Sequence, residues 1–109
     1  MIIELKQFIS ICIRFSIKID KVEIGHGYVY LITNEIHSNS YGLIEDIHIE
    51  EEYRNKGYGT ILLKSIIDEC KRRNCYKIIA TSRYRRKNVH KFYKKNGFID
   101  YGKEFRRNL

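Results

Sequence analysis

The stretch EEYRNKGYGTILLK, residues 51 to 64, passes from charged residues through two glycines into an apolar run. Glycine disfavours a helix by about 1 kcal/mol relative to alanine, so Gly57 and Gly59 indicate a special backbone conformation or a ligand that comes close. Free N–H groups at a helix start attract phosphate, and Arg54 and Lys56 add positive charge. Since position 62 is leucine, the spacing fits neither the P-loop nor the dinucleotide fingerprint. By itself the turn is a weak signal, and a simple glycine-bearing connection explains it better than a ligand site.

Composition limits what surrounds this turn. A chain of 109 residues, 43% hydrophobic and 31% charged, predicts a single folded domain spanning residues 1–109. Its three cysteines have no metal-ligand or disulfide spacing, which predicts no metal site and a reducing, cytoplasmic location. The apolar N-terminus is interrupted by charges well short of a membrane span. The net charge of +8 is uneven: residues 1–52 carry 4 basic and 9 acidic side chains, and residues 53–109 carry 17 and 4.

Hydrophobic periodicity gives the order of the elements. Alternation predicts strands over residues 11–19, 26–33 and 42–50, with a bulge near Glu45 or Asp46 in the third. Helical spacing follows from Tyr58, then a short buried strand in residues 75–82. Asn88 is the predicted N-cap of a two-turn helix that Gly97 ends, and residues 98–105 form a last strand. The order β-β-β-α-β-α-β is an α+β fold with a mostly antiparallel sheet.

Two motifs in this order resemble one family. R-N-K-G-Y-G, residues 54 to 59, is similar to the R/Q-x-x-G-x-G/A loop of the GCN5-related N-acetyltransferases (GNAT), and NVHKFYKKNGF, residues 88 to 98, is similar to their N-x-x-x-F-Y-x-x-x-G-F segment. The resemblance covers residues 11–105. It implies a mixed sheet splayed between the family's fourth and fifth strands, with acetyl-CoA in the gap and its pyrophosphate on the helix start. The family's N-terminal helices are reduced or absent in this sequence.

The resemblance also implies a set of site residues. Main-chain groups in the strand and the glycine turn, together with the asparagine of the second motif, would contact acetyl-CoA; these are Ile47, His48, Ile49, Arg54, Asn55, Lys56, Gly57, Tyr58, Gly59, Thr60 and Asn88. Tyr93 occupies the position of the family's proton donor, and the alternative is a core aromatic beside Val89 and Phe92. Glu45 and Asp46 are the candidates for the general base, with His48 in reserve, and a solvated acidic strand end is the alternative.

The partner of the acetyl donor is a small-molecule or peptide amine. GLIEDI, CYKI and FYKKNGF resemble glucosamine-6-phosphate N-acetyltransferases, but Ala80, Thr81 and Ser82 stand where that subgroup carries an acid, and the following loop is longer. The missing helices would leave one sheet face undercovered, which favours a homodimer.

Two other functions are compatible with the sequence. One is a basic nucleic-acid-binding module, against which the absence of any known motif argues. The other is a non-catalytic acyl-CoA-binding protein.

Overall fold

Three antiparallel strands form the first part of the chain. In the computed structural model, which describes residues 1–109, these are β1 (Ile11–Ile19), β2 (Val22–Ile32) and β3 (Tyr41–Ile49). β1 and β2 are joined by Asp20 and Lys21, both at positive φ, as a tight two-residue hairpin turn requires. The predicted bounds of β1 are confirmed, and those of β3 are confirmed to within one residue.

The predicted bulge in β3 is confirmed at Asp46. His26 pairs with His48 and Tyr28 pairs with Glu45, so two residues of β3 lie opposite one residue of β2. Asp46 adopts φ 55°, in the left-handed region that aspartate tolerates better than most side chains. The bulge turns the end of β3 and changes which side chains face each side of the sheet.

The helices and the fourth strand follow in the predicted order. A short 3₁₀ turn (Glu51–Tyr53) leads into α1 (Tyr58–Arg72), which is followed by β4 (Ile78–Ala80) and α2 (Lys87–Lys95). The apolar residues of α1 recur at helical spacing and therefore share one side of the helix. That side packs on one face of the sheet and is buried there. The resulting core consists of Val29, Leu31, Ile44, Leu62, Leu63, Ile66 and Cys70.

The sheet opens between β3 and β4, as the family resemblance implies. The strand order is β1-β2-β3-β4, and β4 is parallel to β3 over three residue pairs that end at Ile44 and Ala80. β3 continues to Ile49 without a partner on that side. A cleft therefore lies between the carboxyl ends of β3 and β4; we call it the β3–β4 cleft.

Two local predictions are wrong. Residues 98–105 form no strand: Tyr101 and Phe105 are about 90% exposed, and the three-residue β4 offers too short an edge to pair with them. Asn88 is not the N-cap, because the turn that starts α2 closes earlier: His90 donates its N–H to the carbonyl of Arg86, which caps the helix. Gly97, at φ 90°, does follow the end of α2. Residues 1–10 contain no helix.

The sheet face opposite α1 has no helix on it. Register places polar side chains over much of this open face, including Arg14, Ser16, His26, Tyr28 and Glu45. This composition removes part of the reason for expecting a homodimer, since that expectation assumed an apolar face. Large apolar side chains are exposed instead on the terminal segments, among them Met1, Ile2, Ile3, Leu5, Ile99 and Leu109. The homodimer stays a prediction.

Candidate active site

The turn before α1 has a backbone that only certain residues adopt easily. Asn55 lies at φ 61° and Gly57, the N-cap of α1, at φ 90°. Glycine at position 57 has no steric conflict with the left-handed region, and asparagine at position 55 is one of the few other residues found there. Gly57 is therefore explained by the conformation of the chain itself.

The N–H groups of this turn are free. The first helical hydrogen bond of α1 runs from Ile61 N to Gly57 O at 3.1 Å, and none of the N–H groups of residues 55 to 60 donates to a protein acceptor. The N-cap has no side chain that could accept from them, and no acidic residue lies in the first helical turn. Six consecutive residues thus present unsatisfied donors at the positive end of a helix dipole, which suits an anion.

Gly59 is not required by the packing of the chain. A Cβ built at this position would lie 3.6 Å from the ring of Phe92 on α2, an ordinary van der Waals distance, and its φ is not positive. Alanine would therefore fit, and would favour the helix. The missing side chain leaves space between the start of α1 and α2, beside the free N–H groups. These donors suit a phosphate group.

The end of β3 supplies main-chain groups to the β3–β4 cleft. Glu50 donates its N–H to the carbonyl of Ile24 at 2.8 Å, so Ile49, one residue earlier, directs its N–H and C=O away from β2 and toward the cleft. The Ile49 carbonyl accepts a hydrogen bond from Arg54 Nε at 2.8 Å. Arg54 therefore links the glycine turn to the end of β3 and carries its positive charge there.

Tyr93 lies on the α2 side of the site and is half-buried. Its ring centroid is 5.5 Å from that of Phe92 and 5.2 Å from that of Phe98. Burial raises the pKa of Tyr93 above its ordinary value of 10, while the charge of Arg86 acts in the opposite direction. The hydroxyl is therefore protonated at neutral pH and available as a donor.

A cavity of about 210 Å³ adjoins Tyr93. Its wall includes Ser82, whose hydroxyl is buried without a hydrogen-bond partner, and Lys94. Residues 98–102, from the segment that does not form a strand, complete the wall. Asn88 lies on the exposed first turn of α2.

The candidate bases lie at the bulge. Glu45 is exposed on the open face opposite Tyr28, and Asp46 Oδ2 lies 3.0 Å from His26 Nε2. The ring of His48 is 5.4 Å from that of His26. The sequence did not identify His26 as a site residue. The bulge predicted in β3 could have indicated it, because the bulge sets His26 opposite the end of that strand.

All three cysteines are free thiols, and burial raises the pKa of Cys70 to about 11, so that it is no nucleophile at neutral pH. No group of three or more His, Cys, Asp or Glu side chains is arranged to hold a metal ion. No helix of the chain is both long and apolar enough to cross a membrane.

Comparison with known proteins identifies the family. The sequence model of the Acetyltransferase (GNAT) family matches residues 6–98, and the chain belongs to that family. It is therefore an acetyltransferase of the N-acetylating type that uses acetyl-CoA as donor, which confirms the enzyme class and the cofactor expected from the two motifs.

Solved structures share the fold at low sequence identity. An Agrobacterium tumefaciens protein assigned as an acetyltransferase is 22% identical with a TM-score of 0.84, over 90% of this chain and 69% of that one. Glucosamine-6-phosphate N-acetyltransferase from Arabidopsis thaliana is 21% identical with a TM-score of 0.80, over 90% and 67%. AAC(6')-Iy, in complex with the bisubstrate analogue CoA-S-monomethyl-acetylneamine, is 18% identical with a TM-score of 0.76, over 90% and 69%. The chain thus spans about two thirds of the length of these proteins.

Proposed function

We propose that the chain transfers the acetyl group of acetyl-CoA to a primary amine by direct attack in a ternary complex. The observation that carries this proposal is the run of free N–H groups at residues 55 to 60, beside a cleft in the sheet. These N–H groups, with Arg54 and Lys56, would hold the pyrophosphate. Main-chain groups of Ile47 and Ile49 would face the pantetheine arm and the acetyl carbonyl, and Asn88 would contact the cofactor from α2. His48 alternates with them, so its main-chain groups point toward β2, contrary to the expectation from the sequence.

Acetyl-CoA, when bound, supplies a thioester whose carbonyl carbon forms a C–N bond with the amine as its C–S bond breaks. The chain has to manage the protons of this exchange. An alkylammonium must lose one proton before its nitrogen can attack, and the departing thiolate must gain one. Tyr93 gives the proton to the thiolate and takes up the second proton that the acceptor nitrogen loses once the C–N bond has formed.

Asp46 is the better placed of the two carboxylates to accept the first proton. It lies on the bulge, where β3 turns beside the β3–β4 cleft, and its position is fixed by a contact to His26. Glu45 lies on the open face and has no hydrogen bond or ion pair. We assign Asp46 as the general base and Glu45 to the surface over which the acceptor approaches.

The acceptor is a small-molecule or peptide amine that also carries negative charge. None of the ion pairs of the chain uses a basic residue beyond Arg73. Six unpaired basic residues lie in the loop before α2 and on α2 itself, and one of them, Lys94, lines the cavity beside Tyr93; the six are Arg83, Arg85, Arg86, Lys87, Lys91 and Lys94. A phosphate or carboxylate on the acceptor would be attracted to this surface.

The three free cysteines suit the reducing cytoplasm, where we place the protein.

The proposal is tested by thiol release from acetyl-CoA in the presence of an amine panel: glucosamine 6-phosphate, a peptide with a free amino terminus, and spermidine. Tyr93→Phe should lower kcat by about 10²-fold or more, since general acid catalysis contributes roughly 10² to 10⁴. The melting temperature should change little, because the ring contacts are kept. If the wild type binds acetyl-CoA but turns over no amine, the protein is an acyl-CoA-binding scaffold.

A basic nucleic-acid-binding module predicts a different pattern of stabilisation. Acetyl-CoA at 100 times its dissociation constant should stabilise the protein by about 2.7 kcal/mol, and short DNA or RNA should not. Thermal melting with each ligand measures this difference. Stabilisation by nucleic acid alone would contradict the acetyltransferase proposal.

A further inference from the structure

His26 and Asp46 form a contact across the bulge between β2 and β3. The distance from His26 Nε2 to Asp46 Oδ2 is 3.0 Å, a normal hydrogen bond with His26 as donor. The His26 side chain is 21% exposed and that of Asp46 is 67% exposed. The histidine is thus the anchored partner, and the carboxylate is the group that a ligand can reach.

The imidazole is held from both sides. Its ring lies 5.9 Å from the ring of Tyr28 in an edge-to-face arrangement and 5.4 Å from the ring of His48. His48 is itself 3.6 Å from Glu50, beyond a good hydrogen bond. Packing therefore fixes the His26 ring and so determines where Nε2 can donate.

Asp46 depends on this contact because the chain gives it no other. The contact to His26 is the one hydrogen bond of the Asp46 side chain, and it engages Oδ2 alone. An exposed carboxylate on a bulge would otherwise sample several rotamers. With Oδ2 held, Oδ1 is oriented and free to accept a proton.

We infer that His26 is a positioning residue, whose Nε2–H holds the Asp46 carboxylate at the bulge so that Oδ1 receives the proton of the acceptor ammonium. This inference rests on the proposed function and adds a residue to it. A base fixed in one geometry accepts the proton without first losing rotamer freedom, and such orientation raises the rate of the reaction. The proton taken by Oδ1 passes to solvent, since Asp46 is exposed.

The test uses two amides that differ in reach. In His26→Gln the side-chain amide nitrogen occupies about the position of Nε2, whereas in His26→Asn it occupies about that of Nδ1 and falls short of Asp46. His26→Asn should lower kcat for the amine on the order of tenfold and leave the KM for acetyl-CoA unchanged. His26→Gln should recover most of the lost kcat.

Lys18→Gln is the matched control. Lys18 lies near the end of β1, the edge strand farthest from the cleft, and forms no ion pair. This variant should keep the wild-type kcat. Equal kcat in both His26 variants, whether lowered or not, would overturn the inference while leaving the acetyltransferase proposal intact. Asp46→Asn with wild-type kcat would also overturn it. A wild type that acetylates no amine would overturn both.

Discussion

The carboxyl end of α1 is closed by hydrogen bonds, whereas its amino end is left open. At the carboxyl end, Arg73, Asn74 and Cys75 donate their N–H groups to carbonyls of the last helical turns. Glu69 there binds two arginines. At the amino end, residues 55 to 60 donate to nothing and the cap is a glycine.

The amino end leaves its helix donors without acceptors in the chain. A serine or aspartate cap would stabilise an ordinary helix start by roughly a few tenths of a kcal/mol relative to glycine, but the left-handed backbone at position 57 favours glycine there. The open end is also the one that faces the β3–β4 cleft. In the function proposed above, the pyrophosphate of acetyl-CoA would supply the acceptors that the chain lacks at this end.

The largest effect on stability is expected from a substitution in the middle of α1, between its open and closed ends. Leu63 is fully buried in the core. Leu63→Ala should lower the free energy of unfolding by about 2–5 kcal/mol through lost burial and the cavity it leaves. Urea denaturation measures this loss. Acetyl-CoA affinity, determined at a temperature where the variant is folded, should stay near the wild-type value; a tenfold loss in the folded variant would mean that the helix body shapes the site directly.

A smaller effect, confined to the open end, is expected from Gly59→Ala. The new methyl group would occupy the space beside the free N–H groups, so the affinity for acetyl-CoA should fall about tenfold, or about 1.4 kcal/mol. Stability without ligand should be unchanged or slightly higher, because the Cβ has room and alanine favours the helix. Calorimetric titration with acetyl-CoA measures the affinity. Ser65→Ala, on the exposed side of the same helix, is the control; equal binding by both variants would show that Gly59 does not contact the ligand.

The smallest effect is expected at the closed end. Hydrogen bonds from Arg72 and Arg73 lower the pKa of Glu69 from 4.5 to about 2. Because the folded-state pKa is lowered, the carboxylate adds stability above about pH 4.5 and loses that contribution as the pH falls toward 2. Glu69→Gln should therefore melt slightly earlier than wild type at pH 7, by little because surface ion pairs are weak.

The difference in melting temperature between Glu69→Gln and wild type should shrink on acidification and be absent by about pH 2. Asp68→Asn, on the same helix and without an ion pair, should show no such pH-dependent difference. Acetyl-CoA affinity should be the same in all three proteins. A changed affinity in Glu69→Gln would show that the two ends of α1 are coupled.

Local patterns were sufficient to predict most of the fold. Alternation in residues 11–19, the broken alternation near Asp46 and the glycines at 57 and 97 each report a conformation set within a few residues, and the structure confirms them. Residues 98–105 also alternate, but a strand needs a partner edge, and β4 is too short to provide one. A sequence pattern cannot show whether that partner exists.

The local features of the candidate site could also be predicted from the sequence. The glycines of the turn predicted a helix start with free N–H groups. The second motif predicted that Tyr93 lies on the helix after β4. The contact between His26 and Asp46 depends on strand register across a bulge, and register is set by pairing between distant segments. Their distance therefore had to come from the structure.

The three residue pairs that join β4 to β3 have a consequence for motion. β1, β2 and β3 share long ladders, whereas β4 and α2 are attached by this one short ladder and by packing under α1. We therefore expect the segment from β4 onward to act as a separate unit that unfolds locally at lower free energy than β1, β2 and β3. A molecule that spans the cleft touches both units, and so it raises the local stability of the weaker one most.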